Sequence, residues 1–297
     1  PFLGGRHSLL FFGGIDYPTW RHLDEREDYS AGVSWLSEAP GFGALSLNHV
    51  FNTYKPDPVG AAGRLEQHIA SIAYERFFKI AAEEFRFESE LGHFFGTPRS
   101  VAATGGALQK DENAIFALLS WDSATPMSGD IQFEQYGRHY QPEGASVSSD
   151  RRSVQAHFGW RFASGLPLRL RYQHYEDGFE SDNVQDTDVA GFSLAGPFPL
   201  AWAPRLSGNV SGYVSNTEAE DGSVQSDTAD LSTSFSLPLA GGWNGSPSFR
   251  VTRVDDRTNG GATTRTLEAG LSAVHAVAFA GWNGTGSLGL TARRESG

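Results

Sequence analysis

The chain has 297 residues, a formal net charge of −12, no cysteine and one methionine. This acidic balance argues against a nucleic-acid partner, because lysine and arginine are what bind the phosphates of nucleic acids. No apolar run reaches the ~18 residues that a membrane-spanning helix needs, so a helical membrane protein is excluded. A membrane β-barrel is not excluded, because its strands are only half apolar.

The first half of the chain contains a series of strand patterns. Ser8–Tyr17 is rich in residues that favour strands, and Tyr29–Trp35 alternates large or apolar residues with small polar ones. Leu45–Asn52 follows after a short turn. Phe85–Leu91 places phenylalanines and charged residues at alternate positions. Alternation of this kind predicts strands that separate two different environments.

Arg64–Lys79 is the ambiguous segment, because its leucine, glutamate, glutamine and alanine residues would also suit a helix. We predict a strand, since a strand here keeps long and short connections in alternation. Further strand patterns follow at Ala114–Trp121, Asp130–Tyr136, Val154–Phe162 and Leu168–Tyr172.

A threefold repeat occupies Val189 to Ala292. Each copy consists of a strand, a short apolar turn, a second strand and a long acidic loop, and the turns contain Trp202, Trp243 and Trp282. An interval of roughly 40 residues between tryptophans indicates a repeated supersecondary unit. One copy holds two strands, which is typical of an up-and-down antiparallel arrangement.

The connections predicted between the strands alternate long and short along the whole chain. This is the arrangement of outer-membrane barrels, which have long extracellular loops and short periplasmic turns. Bacterial barrels have an even number of strands, so we expect an all-β transmembrane up-and-down antiparallel barrel of about 16 strands, with about fifteen visible and one missing or unread beyond Gly297. We expect residues 1–297 to form a single barrel domain, as a fragment of a longer chain.

Sorting the strand residues by parity gives an apolar set and a polar set. The apolar set is Val33, Trp35, Phe85, Phe87, Leu91, Val154, Ala156, Phe158, Trp160, Phe162, Leu168, Leu170, Tyr172, Leu206, Val210, Leu231, Phe235, Leu267, Ala269, Leu271, Leu288 and Leu290. In a soluble sandwich this set would form the core, whereas in a barrel it faces lipid and the polar set lines the bore. We favour the barrel, because closure removes sheet edges and because tryptophan recurs near the short turns.

The sequence contains no recognisable catalytic pattern, so we predict that the protein is not an enzyme and takes no cofactor. The histidines lack metal-ligand spacing, and no Gly-x-Ser-x-Gly motif is present. Calcium sites need regularly spaced ligands, so we interpret the acidic loops as solvated. These loops are predicted to contain Asp24, Glu25, Glu27, Glu176, Asp177, Glu180, Asp182, Glu218, Glu220, Asp221, Asp255 and Asp256.

Short motifs in the first half resemble the porin domain of the poly-β-1,6-N-acetylglucosamine export proteins. They are Asp28–Trp35, Val50–Asn52, Lys55–Pro56, Gly63–Leu65 and Thr97–Arg99. The resemblance implies a barrel in the bacterial outer membrane, with periplasmic tetratricopeptide repeats that are absent from this chain. It also implies secretion of a partly deacetylated, cationic biofilm exopolysaccharide, with periplasmic export or modification proteins as partners. The alanine- and glycine-rich repeats are equally similar to the barrel of the Pel polysaccharide exporters, so the polymer stays open between the two.

The polar set supplies the residues that we expect to line the substrate pathway. They are Arg86, Glu88, Glu90, Asp130, Gln132, Glu134, Arg138, Arg161, Arg169, Arg171, Asp230 and Glu268. The carboxylates would attract a cationic polymer. Arg161, Arg169 and Arg171 cluster near a short turn, and we expect them to pair with carboxylates and to set the width and field of the bore.

Three other functions fit the same pattern. A general diffusion porin would fold a long loop into the bore, and Thr97–Glu112 is the segment long enough to do so. A binding or structural protein whose outer loops engage a partner is the second alternative, and a barrel that exports proteins is the third.

Overall fold

The computed structural model describes residues 5–16, 28–54, 65–81, 83–97, 110–122, 126–140, 148–198, 200–201, 203, 205–258, 261–279 and 282–297. Within these ranges it contains fifteen strands and a short 3-10 turn, Ala240–Gly242. In the same ranges, no helix has the length and apolarity to cross a membrane.

The strands are long and follow one another through the chain. The first eight are β1 (Arg6–Asp16), β2 (Asp28–Ala39), β3 (Gly43–Tyr54), β4 (Leu65–Ile80), β5 (Glu83–Gly96), β6 (Lys110–Asp122), β7 (Met127–Tyr136) and β8 (Arg151–Arg161). The others are β9 (Pro167–Asp177), β10 (Gln185–Pro197), β11 (Ser207–Ala219), β12 (Gln225–Pro238), β13 (Trp243–Asp256), β14 (Ala262–Phe279) and β15 (Trp282–Ser296).

All fifteen strands belong to one sheet, in which the order of the strands is their order in the chain. The pairs from β1 to β6 and from β10 to β15 are antiparallel. The prediction of an all-β, up-and-down antiparallel sheet is therefore confirmed. The order begins at β1 and ends at β15, and closure into a barrel of about 16 strands stays a prediction.

The ambiguous segment Arg64–Lys79 corresponds to strand β4, as predicted. Its backbone pairs with β3 on one side and with β5 on the other. Pairing along both edges outweighs the helix propensity of its glutamate, glutamine and alanine residues, because strand preference depends mainly on neighbours.

The alternation of long and short connections holds only in the first part of the chain. The longer connections there are 17–27, 55–64, 97–109 and 137–150, and the shorter ones between them are 40–42, 81–82, 123–126 and 162–166. After β10 the pattern is lost, since 198–206 is longer than 220–224 and 257–261. The prediction that each repeat ends in a long acidic loop is wrong.

The reason is that the strands extend into the segments predicted as loops. Glu176 and Asp177 lie in β9, Glu218 in β11, and Asp255 and Asp256 in β13. The backbone amide of Thr258 donates a 2.9 Å hydrogen bond to Oδ1 of Asp256. This local bond ends the strand in a tight turn, as aspartate commonly does.

The remaining acidic residues of the predicted loops have separate positions. Glu180 and Asp182 lie between β9 and β10, and Glu220 and Asp221 between β11 and β12. Asp24, Glu25 and Glu27 lie outside the described residues.

Two compact units contain the strands, and each is described by itself. The first unit comprises residues 1–122, 130–154 and 176–184, and the second comprises residues 123–129, 155–175 and 185–297. Within each unit the register assigns side chains to two faces, because residues directly opposite each other in antiparallel strands point to the same side.

One face of the first unit is apolar and exposed. A row of directly opposed residues crosses six strands: Leu9, Trp35, Leu47, Ile72, Leu91 and Ile115. Leu9 is 57% exposed and Leu91 is 55% exposed. Large apolar side chains that are contiguous and exposed mark a surface that contacts something other than water.

Aromatic groups lie at both ends of this apolar face. Near the short turn between β4 and β5, the ring of Phe85 lies 5.4 Å from that of Phe78 and 6.5 Å from that of Trp121. Near the opposite strand ends, His68 lies 4.8 Å from the ring of Phe51 and 6.4 Å from that of Phe95. The distance from Phe85 to Phe95 along β5 is about 33 Å at ~3.3 Å per residue.

The second unit has the same division into faces. Its apolar face contains Phe192, Val210, Leu231, Phe249, Leu267, Leu271 and Leu290, and its polar face contains Asn209, Ser211, Asp230, Ser232, Arg250, Glu268 and Arg293. The parity assignment is thus confirmed on β11, β12, β14 and β15, and in the first unit on β2 and β5. Leu206 differs, because it lies before β11 and is buried.

Candidate functional site

The polar face of the first unit carries a cluster of charged side chains on β4 and β5. Phe77 is directly opposite Arg86, and Glu75 is directly opposite Glu88, so these four side chains share one face. Glu90 lies two residues further along β5 on the same face. Alternation along a strand brings these charges together, since every second residue points to the same side.

Arg86 is the centre of this cluster. Its Nε donates a 2.7 Å hydrogen bond to Oε1 of Glu75. The same Nε lies 2.9 Å from Oε1 of Glu88, an ion pair without hydrogen-bond alignment. Glu75 and Glu88 both pair with this one guanidinium, and Glu90 lies four residues further along β5, so the three carboxylates outnumber the positive charge beside them.

A cleft lies beside this cluster. It has a volume of about 190 Å³, and its lining includes all three carboxylates. Ser46 and Ala73, also on the polar face, provide small walls, and Leu36 and Phe116 provide apolar ones. The cleft can therefore accept a small cationic group and hold it loosely.

A row of neutral polar groups continues across the same face. Ser34, Asn48 and Ser71 are directly opposite one another on β2, β3 and β4. The hydroxyl of Ser34 donates a 2.6 Å hydrogen bond to Oδ1 of Asn48, and Nδ2 of Asn48 donates a 3.2 Å bond to the hydroxyl of Ser71. Such a row offers hydroxyl and amide groups to a hydrated ligand.

The residues after β7 fold onto this polar face. The ring of Tyr140 lies 6.2 Å from that of the fully buried Phe94 on β5, in an edge-on arrangement, and 5.9 Å from that of Tyr136. Its hydroxyl lies next to Gly92. The chain reverses at Gly137, whose amide donates to the carbonyl of Asn113 at 3.0 Å. The segment 137–140 thus covers part of the polar face.

Glu90 connects this segment with the charged cluster. It interacts electrostatically with both Tyr136 and Tyr140. Burial raises the pKa of Tyr140 above its ordinary value, and the nearby negative charge of Glu90 adds to that shift. The phenol of Tyr140 therefore stays neutral beside a carboxylate.

The polar face of the second unit carries a ladder of alternating charges. Arg250 on β13 is directly opposite Glu268 on β14, which is directly opposite Arg293 on β15. Nε of Arg250 donates a 2.8 Å hydrogen bond to Oδ2 of Asp230 on β12, and the hydroxyl of Thr252 donates to the same oxygen at 2.6 Å. Nε of Arg293 lies 3.5 Å from Oε1 of Glu268.

This ladder changes the interpretation of two predicted pathway residues. Asp230 and Glu268 lie on the polar face, as expected, but arginines compensate both carboxylates. A compensated pair produces a weak field beyond its immediate surroundings. The cleft lined by three carboxylates lies instead in the first unit.

The other predicted pathway residues have different surroundings. Nε2 of Gln132 donates a 2.7 Å hydrogen bond to Oε1 of Glu134, and Glu134 interacts electrostatically with Tyr136. Asp130 lies in β7 and has an interaction partner. Arg138 lies beyond the end of β7, where its backbone amide donates to Oε2 of Glu180 at 2.8 Å.

Arg161, Arg169 and Arg171 lie on both sides of the short connection 162–166, as predicted. Arg161 is the last residue of β8, and its backbone amide donates to the carbonyl of Pro126 at 2.8 Å. The side chains of Arg169 and Arg171 are exposed on β9. Their expected pairing with carboxylates stays a prediction.

Several residues of the site were not identified from the sequence. Glu75 lies in the segment with ambiguous composition, so its face was not assigned. Arg250 and Arg293 become visible only once the register places them opposite Glu268. Tyr140 lies outside any strand pattern, and no periodic signal marks it. For the predicted constricting loop Thr97–Glu112, residues 98–109 lie outside the described ranges, and Lys110, Asp111 and Glu112 belong to β6.

Comparisons with known proteins add no family to these observations. Neither the models of known protein families nor the curated proteins match this chain.

Proposed function

We propose that this chain is the membrane-spanning barrel of a bacterial outer-membrane exporter, and that a partly deacetylated, cationic exopolysaccharide passes through its polar lumen. The observation that carries this proposal is the cleft lined by three carboxylates, Glu75, Glu88 and Glu90, of which Glu75 and Glu88 pair with the guanidinium of Arg86. An ammonium group on a sugar ring is the chemical complement of such a cluster.

Two further observations support the membrane location. The apolar faces are exposed, and aromatic rings lie at both ends of the apolar face of the first unit. Outer-membrane barrels have an apolar band about 25 Å tall between two aromatic girdles, and strands tilted by about 40° cover that height in about 33 Å of length. In the proposed barrel the sheet closes with about 16 strands and the polar faces line the lumen.

An export lumen must let a hydrated chain slide without holding it firmly at any single place. The exposed carboxylate of Glu90 attracts an ammonium group, and the row of Ser34, Asn48 and Ser71 exchanges hydrogen bonds with hydroxyl groups. Each of these contacts is weak in water, so a sugar chain advances by exchanging one for the next. No bond is made or broken in this process.

The test compares two pairs of carboxylates on opposite faces of neighbouring strands. Glu88 and Glu90 lie on the polar face of β5, whereas Glu66 of β4 and Asp111 of β6 lie on the apolar face at the strand ends. We expect the variant E88Q/E90Q to lose most of the current blockade that a chitosan oligosaccharide causes in single-channel recordings. The control variant E66Q/D111N removes the same amount of charge, and we expect it to keep the chitosan blockade.

Two controls separate the electrostatic role from a change in the shape of the bore. Blockade by a neutral dextran of the same length should be equal in both variants. Blockade by chitosan should also fall at high salt, because the Debye length decreases from about 10 Å at 0.1 M to about 3 Å at 1 M. Equal chitosan blockade in E88Q/E90Q and in the unchanged protein would contradict the proposal.

A general diffusion porin is the second candidate, and the segment 137–140 favours it. Such a porin needs chain folded into its bore, and this segment rests on the polar face against Gly92 and Phe94. If this candidate is correct, Tyr140→Ala raises the conductance for small ions and the chitosan and dextran blockades stay equal. An exporter instead discriminates between the two polymers before and after the substitution.

A further inference from the structure

The apolar face of the second unit ends in a group of arginines. Arg253 of β13 is directly opposite Arg265 of β14, and Arg294 of β15 is directly opposite Leu267. Arg265 is therefore a diagonal neighbour of Arg294 on the same face, at about 7–8 Å between Cα atoms. We call Arg253, Arg265 and Arg294 the arginine row.

Like charges directly opposite each other destabilise a sheet unless an anion compensates them. Asp255, on the same face, pairs with Arg253 and interacts electrostatically with Arg265. In the part of the chain that the structure describes, the side chains of Arg265 and Arg294 have no ion pair, and both residues are exposed. Positive charge thus remains at this end of the face.

The nearest acidic groups on the neighbouring strands already have partners of their own. Asp227 forms an ion pair of 3.0 Å with Arg257. Asp188 accepts a 2.7 Å hydrogen bond from the hydroxyl of Tyr172 and lies 3.1 Å from Nδ1 of His174. These carboxylates lie on β10 and β12, whereas the arginine row lies on β13 to β15.

A band of exposed apolar side chains begins directly beside the row. Leu271 is 55% exposed, Leu288 is 69% exposed and Leu290 is 77% exposed. At the far end of the band, Trp243 stacks on His275 with ring centroids 5.0 Å apart. The distance from Arg265 to His275 along β14 is about 33 Å, which gives a height of about 23 Å for a strand tilted by 45°.

We propose that the arginine row binds the phosphate group of a membrane lipid whose acyl chains lie against this leucine band. Charge and shape both point to this occupant. A guanidinium presents a planar fork of N–H donors that matches the oxygens of a phosphate, and acyl chains cover exposed leucines without desolvating polar groups. A neutral lipid would leave the excess positive charge of the row, three guanidinium groups beside the one carboxylate of Asp255, without a further anion.

This inference depends on the proposed membrane location and is independent of the substrate that passes through the lumen. It also differs from the general affinity of a barrel for lipid, because it assigns one lipid to named residues at one end of one face. That end holds the connection between β13 and β14, residues 257–261.

The experiment measures how much anionic lipid the full chain retains after purification in detergent micelles. The variant R265Q/R294Q removes two guanidinium groups from the row. The control R169Q/R293Q removes the same charge, and Arg293 is the chain neighbour of Arg294 on the opposite face. With a diphosphorylated glycolipid as the probe, we expect about tenfold weaker retention for R265Q/R294Q, since one charge-assisted hydrogen bond is worth about that factor.

Further measurements decide among the remaining outcomes. R265K/R294K keeps the charge but loses the planar fork of the guanidinium. Its lipid retention should therefore lie between that of the unchanged protein and that of R265Q/R294Q. Equal loss in R265Q/R294Q and in R169Q/R293Q would overturn the site in favour of unspecific attraction. Displacement of the lipid by the same concentration of inorganic phosphate, without acyl chains, would overturn the lipid as the ligand.

The result is separable from the proposed function. The assay uses micelles, so it gives a value whether or not the protein enters a bilayer. A chain that retains the lipid but fails to form channels in planar bilayers contradicts the exporter and leaves the site intact. A chain that forms channels and shows no difference between R265Q/R294Q and the control contradicts the site alone.

Discussion

The hydroxyl of Tyr140 lies directly over Gly92, only 2.9 Å from the position that a β-carbon of residue 92 would occupy. A β-carbon at that distance forces one of the two groups to move. Gly92 is therefore the residue that allows the segment 137–140 to rest on the polar face, in the middle of a strand where glycine is otherwise unfavourable.

We expect Gly92→Ala to displace Tyr140 from the polar face and to widen the path beside Glu90. The measurement is single-channel conductance together with the near-ultraviolet circular dichroism of tyrosine. Gly289→Ala is the matched control, because Gly289 also lies within a strand and a β-carbon added to it would meet nothing within 4 Å. Equal conductance in the two variants would mean that Tyr140 does not limit the path.

The raised pKa of Tyr140 predicts a dependence of stability on pH. Its folded-state pKa lies above the unfolded value of about 10, so the neutral phenol stabilises the folded chain. This contribution is fully present below about pH 10 and is lost as the pH rises through the folded-state pKa. Tyr140→Phe keeps the ring on Phe94 and removes the ionisable group.

The test compares urea unfolding of the two proteins between neutral pH and strongly alkaline pH. We expect the unchanged protein to lose more stability than Tyr140→Phe above about pH 10. Parallel curves for the two proteins throughout that window would contradict a stabilising neutral phenol at this position.

The charge ladder of the second unit predicts unequal costs for two similar substitutions. Asp230 has a side chain that is 7% exposed and depends on Arg250, whereas Glu268 is 36% exposed beside Arg293. Arg250→Ala leaves a buried carboxylate short of a donor, which costs about 1–3 kcal/mol of unfolding free energy. Arg293→Ala breaks an exposed pair and costs about 0–1 kcal/mol.

The measurement is the free energy of unfolding of each variant in urea, in phospholipid vesicles. Asp230→Asn together with Arg250→Ala should recover part of the loss, because the carboxylate is then absent. A double variant that is no more stable than Arg250→Ala alone would assign the cost to packing and not to the buried charge.

Strand identity and facing could be predicted from the sequence because both follow from period-two alternation. Phe85, Phe87 and Leu91 are separated from Arg86, Glu88 and Glu90 by parity alone, and the register confirms that separation. Strand length could not be predicted in the same way. Polar strand ends such as Asp255 and Asp256 resemble loops until their cross-strand partners, Thr263 and Ala262, are known.

The residues that make up the site were harder to predict from the sequence than the face on which the site lies. The sequence places Asp230 and Glu268 on the polar face, but it cannot place Arg250 beside them, because register depends on how neighbouring strands are aligned. The segment 137–140 is the other omission. Its position depends on a single glycine in a distant strand, and no local pattern encodes a contact of that kind.

The exposed leucines give the sharpest test of where the apolar faces lie. Leu271 and Ser272 are consecutive in β14 and point to opposite faces, and Leu271 is 55% exposed. If the apolar face contacts lipid, Leu271→Arg costs about 2–4 kcal/mol near the middle of the bilayer, whereas an arginine on the lumen side costs little. If the sheet stood in water, an arginine at an exposed leucine would be tolerated. We therefore expect Leu271→Arg to lower the free energy of unfolding in vesicles far more than Ser272→Arg. Similar values for the two variants would remove the membrane-facing assignment, and with it the lumen to which the carboxylates of the first unit are assigned.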